Sequence, residues 1–370
     1  MKASQLVQRF EQFAPRQIAE KNDPVGLQIG DLAAEIHKVM VTLDVRPEVV
    51  DEAIAQGADF IFSHHPVMFR PAKNLDLSDP QNAMYAKLIQ HRITVYSAHT
   101  NLDSADGGMN DWLAEALDLH ETVGLWDGVV EPEYLLCVHV PTIYADAIRL
   151  ALVKAGTGET SSYTGGSYTS HGRSFFTLNE GANPAMGEVG EQNEVDEVAI
   201  EVRVSESQVT NVVDIINQVH PFDTPAYTLT PLARAGHQYS MGRVGNLASP
   251  TTVREFAERC KKIFQVNGLR LISHHPDQIV NRVAVLGGDG GKFYRLAQQK
   301  GADVYVTGDV YYHTGHDMLA AGMNAIDPGH HIEAICIPKL VTLFTRWSAQ
   351  YDWNLEVSAS SLNTDPFTFL

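Results

Sequence analysis

The chain has 370 residues, a formal net charge of -18 and 44% hydrophobic residues. That length exceeds a single typical core, so two or three domains are expected. The acidic balance argues against a nucleic-acid surface, which needs clustered Lys and Arg to neutralise phosphates. No apolar run is long enough to cross a bilayer. Cys137, Cys260 and Cys336 are odd in number and lie outside any CxxC pair. They read as buried thiols of a cytoplasmic protein.

Leu6, Val7, Phe10 and Phe13 recur at helical spacing, which predicts an amphipathic helix and not a signal peptide. In the segment 22–31, Asp23-Pro24 and two glycines mark turns around a short alternating strand of Val25, Leu27 and Ile29. His37 to Asp44 is a β-branched strand, and Pro47 opens a helix that Gly57 stops. The apolar run Phe60-Ile61-Phe62 then ends in Ser63-His64-His65-Pro66, where the proline cannot continue a central strand. Residues 82–91 read as a helix, and Arg92 to Ala98 as a strand ending in His99-Thr100-Asn101-Leu102-Asp103. Strand–helix–strand units of this kind form parallel crossovers. Three strands therefore carry polar tips at one sheet edge, the edge where α/β proteins bind ligands.

From about residue 126 the character changes. Tyr134–Val140 reads as a strand and Tyr144–Ala155 as a helix closed by Gly156. A Ser/Thr/Tyr/Gly-rich stretch from 158 to 170 follows, then Arg173–Leu178 and a loop with Gly181, Pro184 and Gly187. The strand Asp196–Val204, the helix Glu206–His220 and a strand near Tyr227 complete a β-α-β, β-α-β order. That is the ferredoxin-like (α+β) pattern. After Gly236 the first pattern resumes: a helix at 251–264, a strand at 280–286, the loop Gly287-Gly288-Asp289-Gly290-Gly291-Lys292, a helix at 293–300, and a strand into Gly308-Asp309. A helix carrying His313 and His316 follows, then a strand into Asp327-Pro328-Gly329-His330-His331-Ile332-Glu333. The expected division is 1–125 and 236–370 as two similar α/β halves, with 126–235 inserted between them.

The chemistry concentrates at the strand tips. His330 and Glu333, three apart, share one face if Gly329 is the turn and His330 opens a helix. His331 then points elsewhere and ranks second. Pro338 weakens the case for a straight helix beyond. His64, His65, Asp103, His330 and Glu333 make three nitrogens and two carboxylates, more than one tetrahedral ion needs. A bridging carboxylate and a pair of divalent ions account for the surplus. Such a donor set suits zinc, iron or manganese. Asp44, His99, His313 and His316 are candidates for supporting hydrogen bonds or proton transfer, with His313 and His99 as the catalytic candidates. The glycine loop at 287–292 fails both GxxxxGK[ST] and GxGxxG, and reads as a tight packing turn ahead of a phosphate cradle.

Ser63-His64-His65-Pro66, Thr100-Asn101-Leu102-Asp103, Val25-Gly26-Leu27-Gln28-Ile29-Gly30, Thr307-Gly308-Asp309-x-x-Tyr312-His313 and Gly329-His330-x-x-Glu333 together resemble the GTP cyclohydrolase I type 2 homologue family. That family is also described as Nif3-like, with a dinuclear metal centre and a hexameric assembly. The resemblance spans nearly the whole chain. Within the insertion, Glu180-Gly181-Ala182-Asn183-Pro184 and His220-Pro221 look like the PII/CutA-like insert of longer bacterial members. It implies a three-layer α/β core of two similar halves and a toroidal homo-hexamer. It further implies two divalent ions per subunit on His64, His65, Asp103, His330 and Glu333. Asn22-Asp23-Pro24 departs from the Trp-Asp-Asn of many members.

The expected function is a metal-dependent hydrolase acting on a nucleotide-like, or small phosphorylated or heterocyclic, substrate. The alternative is a non-catalytic, metal-binding hexameric scaffold or regulator, in which the insert senses a small molecule or gates access.

Overall fold

The computed structural model describes residues 1–370 apart from 161, 182–184 and 234–235. Part of the Ser/Thr-rich stretch at Ser161, the Ala182-Asn183-Pro184 portion of the insert motif with its expected turn, and the expected boundary at 235 lie outside the described residues. The fold is mixed α/β with several sheets. Two compact units are distinguished: Met1–Val129 with Tyr239–Leu370, and Val130–Gln238.

The first unit contains two sheets. One runs, edge to edge, Gly26–Ile29, Thr94–Ser97, Phe60–Ser63, Lys38–Thr42 and Glu356–Ala359. All its pairings are parallel except that of Gly26–Ile29. The crossover helices are punctuated as the sequence suggests. Pro47 takes the first turn of Pro47–Gln56, and Gly57 ends it at φ +69°. Asp79 caps Pro80–Gln90 by accepting from the Gln81 and Asn82 N–H groups.

The second sheet runs Arg270–Ile272, Asn324–Asp327, Val304–Gly308, Ile279–Asp289, Gln238–Thr252 and Leu119–Val130. Its three middle strands, Ile279–Asp289, Val304–Gly308 and Asn324–Asp327, are mutually parallel. The sheets exchange strands across the expected halves: Leu119–Val130 joins the second sheet and Glu356–Ala359 the first. The strands at 238–252, 270–272 and 356–359 are not expected from the sequence. The stretch at 238–252 contains Gly242, Gly245 and Pro250 and lacks apolar alternation, so its strand character comes from its neighbours.

Side-chain alternation divides the core into layers. Val39, Val41, Phe60 and Phe62 of the first sheet and Val283, Val285, Val304 and Val306 of the second belong to one cluster. That cluster includes residues of the helices Ala3–Phe13, Met109–Ala116, Val253–Ile263 and Cys336–Gln350, so both sheets press on a shared helical layer. Phe62 meets Phe10 and Phe344 edge-on at 4.7 and 4.8 Å, a favoured aromatic geometry. The alternate residues Met40, Ile61 and Val95 face the helices Pro47–Gln56 and Pro80–Gln90 on the other side of the first sheet. Ala284, Leu286, Tyr305 and Ala325 do the same for the second. No helix among the described residues is long and apolar enough to cross a membrane.

The second unit has a four-stranded sheet in the order Ser167–Thr177, Gln192–Ser205, Glu133–Pro141, Tyr227–Pro231, with every neighbour antiparallel. Leu136, Val138 and Val140 alternate inward onto the helices Ala145–Lys154 and Val209–Val219. The strand Ser167–Thr177 begins inside the Ser/Thr-rich stretch, which the sequence reading left irregular. Residue-by-residue pairing along Gln192–Val202 imposes the extended backbone there. Cys260 and Cys336 are buried, whereas Cys137 is half-buried.

Candidate metal centre

Because the middle strands of each sheet are parallel, their C-terminal ends lie on one edge. The first sheet delivers Asp44, His64, His65 and His99 just past its strand ends, and the second delivers Asp309, Asp327 and His330. Gly329 makes the final turn at φ +92°. His330–Ile335 then forms a 3-10 turn that continues into the α-helix Cys336–Gln350. Pro338 falls in the first turn of that α-helix, where the 3-10 turn passes into it.

Each histidine uses Nδ1 for support. His64 donates to the Ala98 carbonyl at 2.8 Å. His65 donates to Asp44 Oδ1 at 2.7 Å, His99 to Asp23 Oδ1 at 2.8 Å, and His330 to Asp309 Oδ2 at 2.7 Å. These contacts fix the ring orientations and leave Nε2 as the working atom, the arrangement usual for metal-bound imidazoles. Asp309 adopts φ +51°, a conformation costly for a side-chain-bearing residue. Asp23, the one position of Asn22-Asp23-Pro24 that keeps the Trp-Asp-Asn pattern, is thus a supporting partner of the site that the sequence alone does not single out.

The Nε2 atoms converge on Glu333. Its Oε2 lies 3.0 Å from His65 Nε2, 3.1 Å from His330 Nε2 and 3.6 Å from His64 Nε2. Asp103 Oδ1 is 3.6 Å from His64 Nε2. His64 Nε2 and Asp103 Oδ1 are both buried and have no hydrogen-bond partner, a costly arrangement unless something else occupies their lone pairs. Among the described residues three groups could each hold an ion, with ligand atoms mutually within 4.8 Å: His64, Asp103 and Glu333; His65, His330 and Glu333; His64, His65 and His99. Glu333 belongs to the first two. The donors fit divalent metal, and they are oxygen and imidazole without thiolate.

The electrostatics agree. Burial pushes His64 down to about 3, so its Nε2 keeps a free lone pair. Burial also opposes the charged form of His65 and His330. Their carboxylate partners overcome it, raising His65 to about 9 through Asp44 and Glu333. Asp309 and Glu333 raise His330 to about 11. Burial and the nearby Glu333 push the Asp103 carboxyl well up. Glu333, though buried, is held well below the usual carboxylate range by His330, His65 and His64.

The five expected ligands thus come together, with His99 beside them at ring distances of 5.3 Å from His64 and 5.6 Å from His65. His331 is not in these groups; it lines an adjoining cavity, which also touches His65 and His330, with Asp44 and the chain's last residues. His313 and His316 lie exposed on the helix Tyr312–Ala320, with rings 5.3 and 4.7 Å from Tyr312. The structure does not bring His313 to the cluster.

The glycine loop is a packing turn against this site. A Cβ on Gly287 or Gly288 would fall 2.9 or 2.8 Å from Glu333 Oε1, and one on Gly290 2.3 Å from Thr307 Oγ1. Gly290 also donates its N–H to Thr307 Oγ1 and accepts from the Tyr305 hydroxyl. A cavity of about 520 Å³ opens over Asp103, His65, His330 and Glu333, with His99, Phe69, Lys292 and Phe293 in its wall.

The model of the family described as Duf34/NIF3 (NGG1p interacting factor 3) matches residues 1–366. The chain belongs to the Duf34/NIF3 family. It is 42% identical over 366 residues to the GTP cyclohydrolase 1 type 2 homolog of Bacillus subtilis (strain 168), covering 99% of this chain and 98% of that relative. With the Staphylococcus aureus (strain N315) homolog of the same name it shares 32% identity, covering all of both chains. The crystal structure of a Bacillus cereus protein related to NIF3 superposes with a TM-score of 0.86 at 38% identity, covering 100% of this chain and 99% of that one. Relatives of this NIF3 protein thus match along its whole length, including 130–238.

Proposed function

We propose that this NIF3 protein is a metal-dependent hydrolase built on a dinuclear divalent-metal centre, with a nucleotide-like or small phosphorylated or heterocyclic substrate. The observation that carries the reading is Glu333: one buried carboxylate shared by two three-residue donor groups, beside two buried donor atoms without partners. His64, Asp103 and Glu333 would hold one ion, and His65, His330 and Glu333 the other. A bound pair supplies an activated water near neutral pH and stabilises charge on a substrate oxygen.

The chain's own groups complete the chemistry. His99, with Nδ1 committed to Asp23, keeps Nε2 to take or return a proton at the cavity. Lys292, whose Nζ sits 4.8 Å over the Phe293 ring, offers positive charge to an anionic substrate. Phe69 and Phe293 offer flat apolar surface to a ring. The name borne by the relatives, GTP cyclohydrolase 1 type 2 homolog, supports a nucleotide-like substrate.

The unit 130–238 is assigned by the same proposal to a ferredoxin-like insertion, supported by its strand order and two helices on one face. The homo-hexamer belongs to it as well, and a solution mass of six chains by light scattering supports that part. Elemental analysis, paired with turnover on a panel of nucleotides and cyclic amides, tests the reading. Metal-dependent turnover that His65→Ala abolishes without lowering the melting temperature supports it. A metal-replete protein inert on the whole panel sinks the hydrolase and leaves the scaffold.

A further inference from the structure

The chain's last residues have no regular structure but are pinned beside the first sheet, to the helix Pro47–Gln56 and to Asp44. Ser360 Oγ donates to Glu52 Oε2 at 2.5 Å, and the Ser361 N–H and hydroxyl donate to Oε1 of the same carboxylate at 2.9 and 2.7 Å. Thr364 Oγ1 then donates to Asp44 Oδ2 at 2.5 Å. Beyond it, Phe369 packs so closely on Gly268 that a Cβ there would lie 2.6 Å from its ring. The segment thus passes from the first sheet to the approach of the second, along a cavity that also touches His65 and His330.

Asp44 is the residue that supports His65, through its other oxygen. A carboxylate held at one oxygen can still rotate about its Cβ–Cγ bond. Held at both, its plane is set. The same device occurs a second time in this site. Asp23 holds His99 with Oδ1, while its Oδ2 accepts from the Thr100 N–H and hydroxyl. There the threonine adjoins the histidine in sequence, whereas Thr364 comes from the far end of the chain, 320 positions from Asp44. Two histidines of one cluster, each on an aspartate clamped by a threonine hydroxyl, make the Thr364 contact part of the site's construction.

We propose that Thr364 is a positioning residue of the metal centre: it clamps Asp44, which orients His65 so that Nε2 faces Glu333. This rests on the metal reading above. Thr364 touches no ion and no substrate. Its effect falls on the donor group that contains His65 and spares the one formed by His64, Asp103 and Glu333.

The test is zinc binding by chelator competition on the full chain, with Thr364→Val, Thr364→Ala and Thr364→Ser beside wild type, and melting of each metal-free protein. Valine keeps the shape and removes the hydroxyl; serine keeps the hydroxyl. The expected result is one zinc equivalent weakened about tenfold in Thr364→Val and Thr364→Ala, the lower end of what supporting partners of metal ligands contribute. The second equivalent is unchanged, and Thr364→Ser restores wild-type binding. Glu52→Gln, which loosens the segment without touching Asp44, leaves both equivalents intact. Wild-type zinc binding in Thr364→Val overturns the proposal while the metal reading stands. So does equal weakening of both equivalents that follows the melting temperature and that serine does not rescue. A wild-type protein that takes up no zinc, iron or manganese overturns both.

Discussion

Glu333 Oε2 lies 3.0 Å from His65 Nε2, so one carboxylate oxygen at the head of the Cys336–Gln350 helix reaches an imidazole at the end of a strand in the first sheet. Because Glu333 also serves the group containing His64 and Asp103, Glu333→Gln is expected to weaken both metal equivalents by tenfold or more. His99→Ala is expected to leave metal content near wild type and to lower turnover. Elemental analysis after gel filtration separates the two outcomes.

Metal loading at pH 7 should release protons. His65 and His330, raised to about 9 and 11, hold protons in the metal-free chain at that pH. A ligand nitrogen must give its proton up. The metal-free state therefore binds more protons than the loaded one, and affinity rises with pH, steeply until His65 deprotonates near 9 and less steeply until His330 does near 11. The same raised value means that the His65 contribution to metal-free stability is full below about 6.5 and fades as pH climbs through about 9. Calorimetric titration in buffers of different ionisation enthalpy counts the protons, and a count of zero at pH 7 contradicts this prediction.

Gly288→Ala should harm the site more than the fold. Gly288 sits at φ +62° and its added Cβ would lie 2.8 Å from Glu333 Oε1. The left-handed backbone alone costs about 1–2 kcal/mol for alanine. The displaced carboxylate should lose metal at both groups. Gly322→Ala, at φ +71° with open space around it, shares the backbone cost without the contact. Comparing the two by denaturant unfolding and metal content isolates the effect on Glu333.

Phe344→Ala should cost about 3–5 kcal/mol, the range for deleting a buried aromatic ring. Phe344 is fully buried and packs edge-on against Phe62 two residues before His64. Urea unfolding measures the loss, and a change under 1 kcal/mol would mean that the shared helical layer repacks.

What the sequence showed was local. The break from Phe60-Ile61-Phe62 to Ser63-His64-His65-Pro66 and the turn at Gly329 are legible because a proline or glycine marks where a strand must stop. Parallel strands carry such stops to one edge, so the convergence of His64, His65, His330 and Glu333 could be read before any coordinates. Asp23 and Thr364 could not, because each reaches the cluster by a path with no periodicity. His313 shows the opposite limit: a histidine after a strand, in a family motif, turns outward because the helix Tyr312–Ala320 presents that face to solvent. The exchanged strands Leu119–Val130 and Glu356–Ala359 escape for a similar reason. Pairing partners far away in the chain make them strands.

The shared carboxylate also sets a timetable. His65 and Glu333 are separated by 268 positions, which a ribosome takes roughly ten to fifty seconds to traverse. Throughout that interval the nascent chain carries His64 and His65, joined part-way by Asp103, without the residue shared by the two donor groups. On the dinuclear reading proposed above, a complete site exists only in the finished fold, where both sheets contribute their edges.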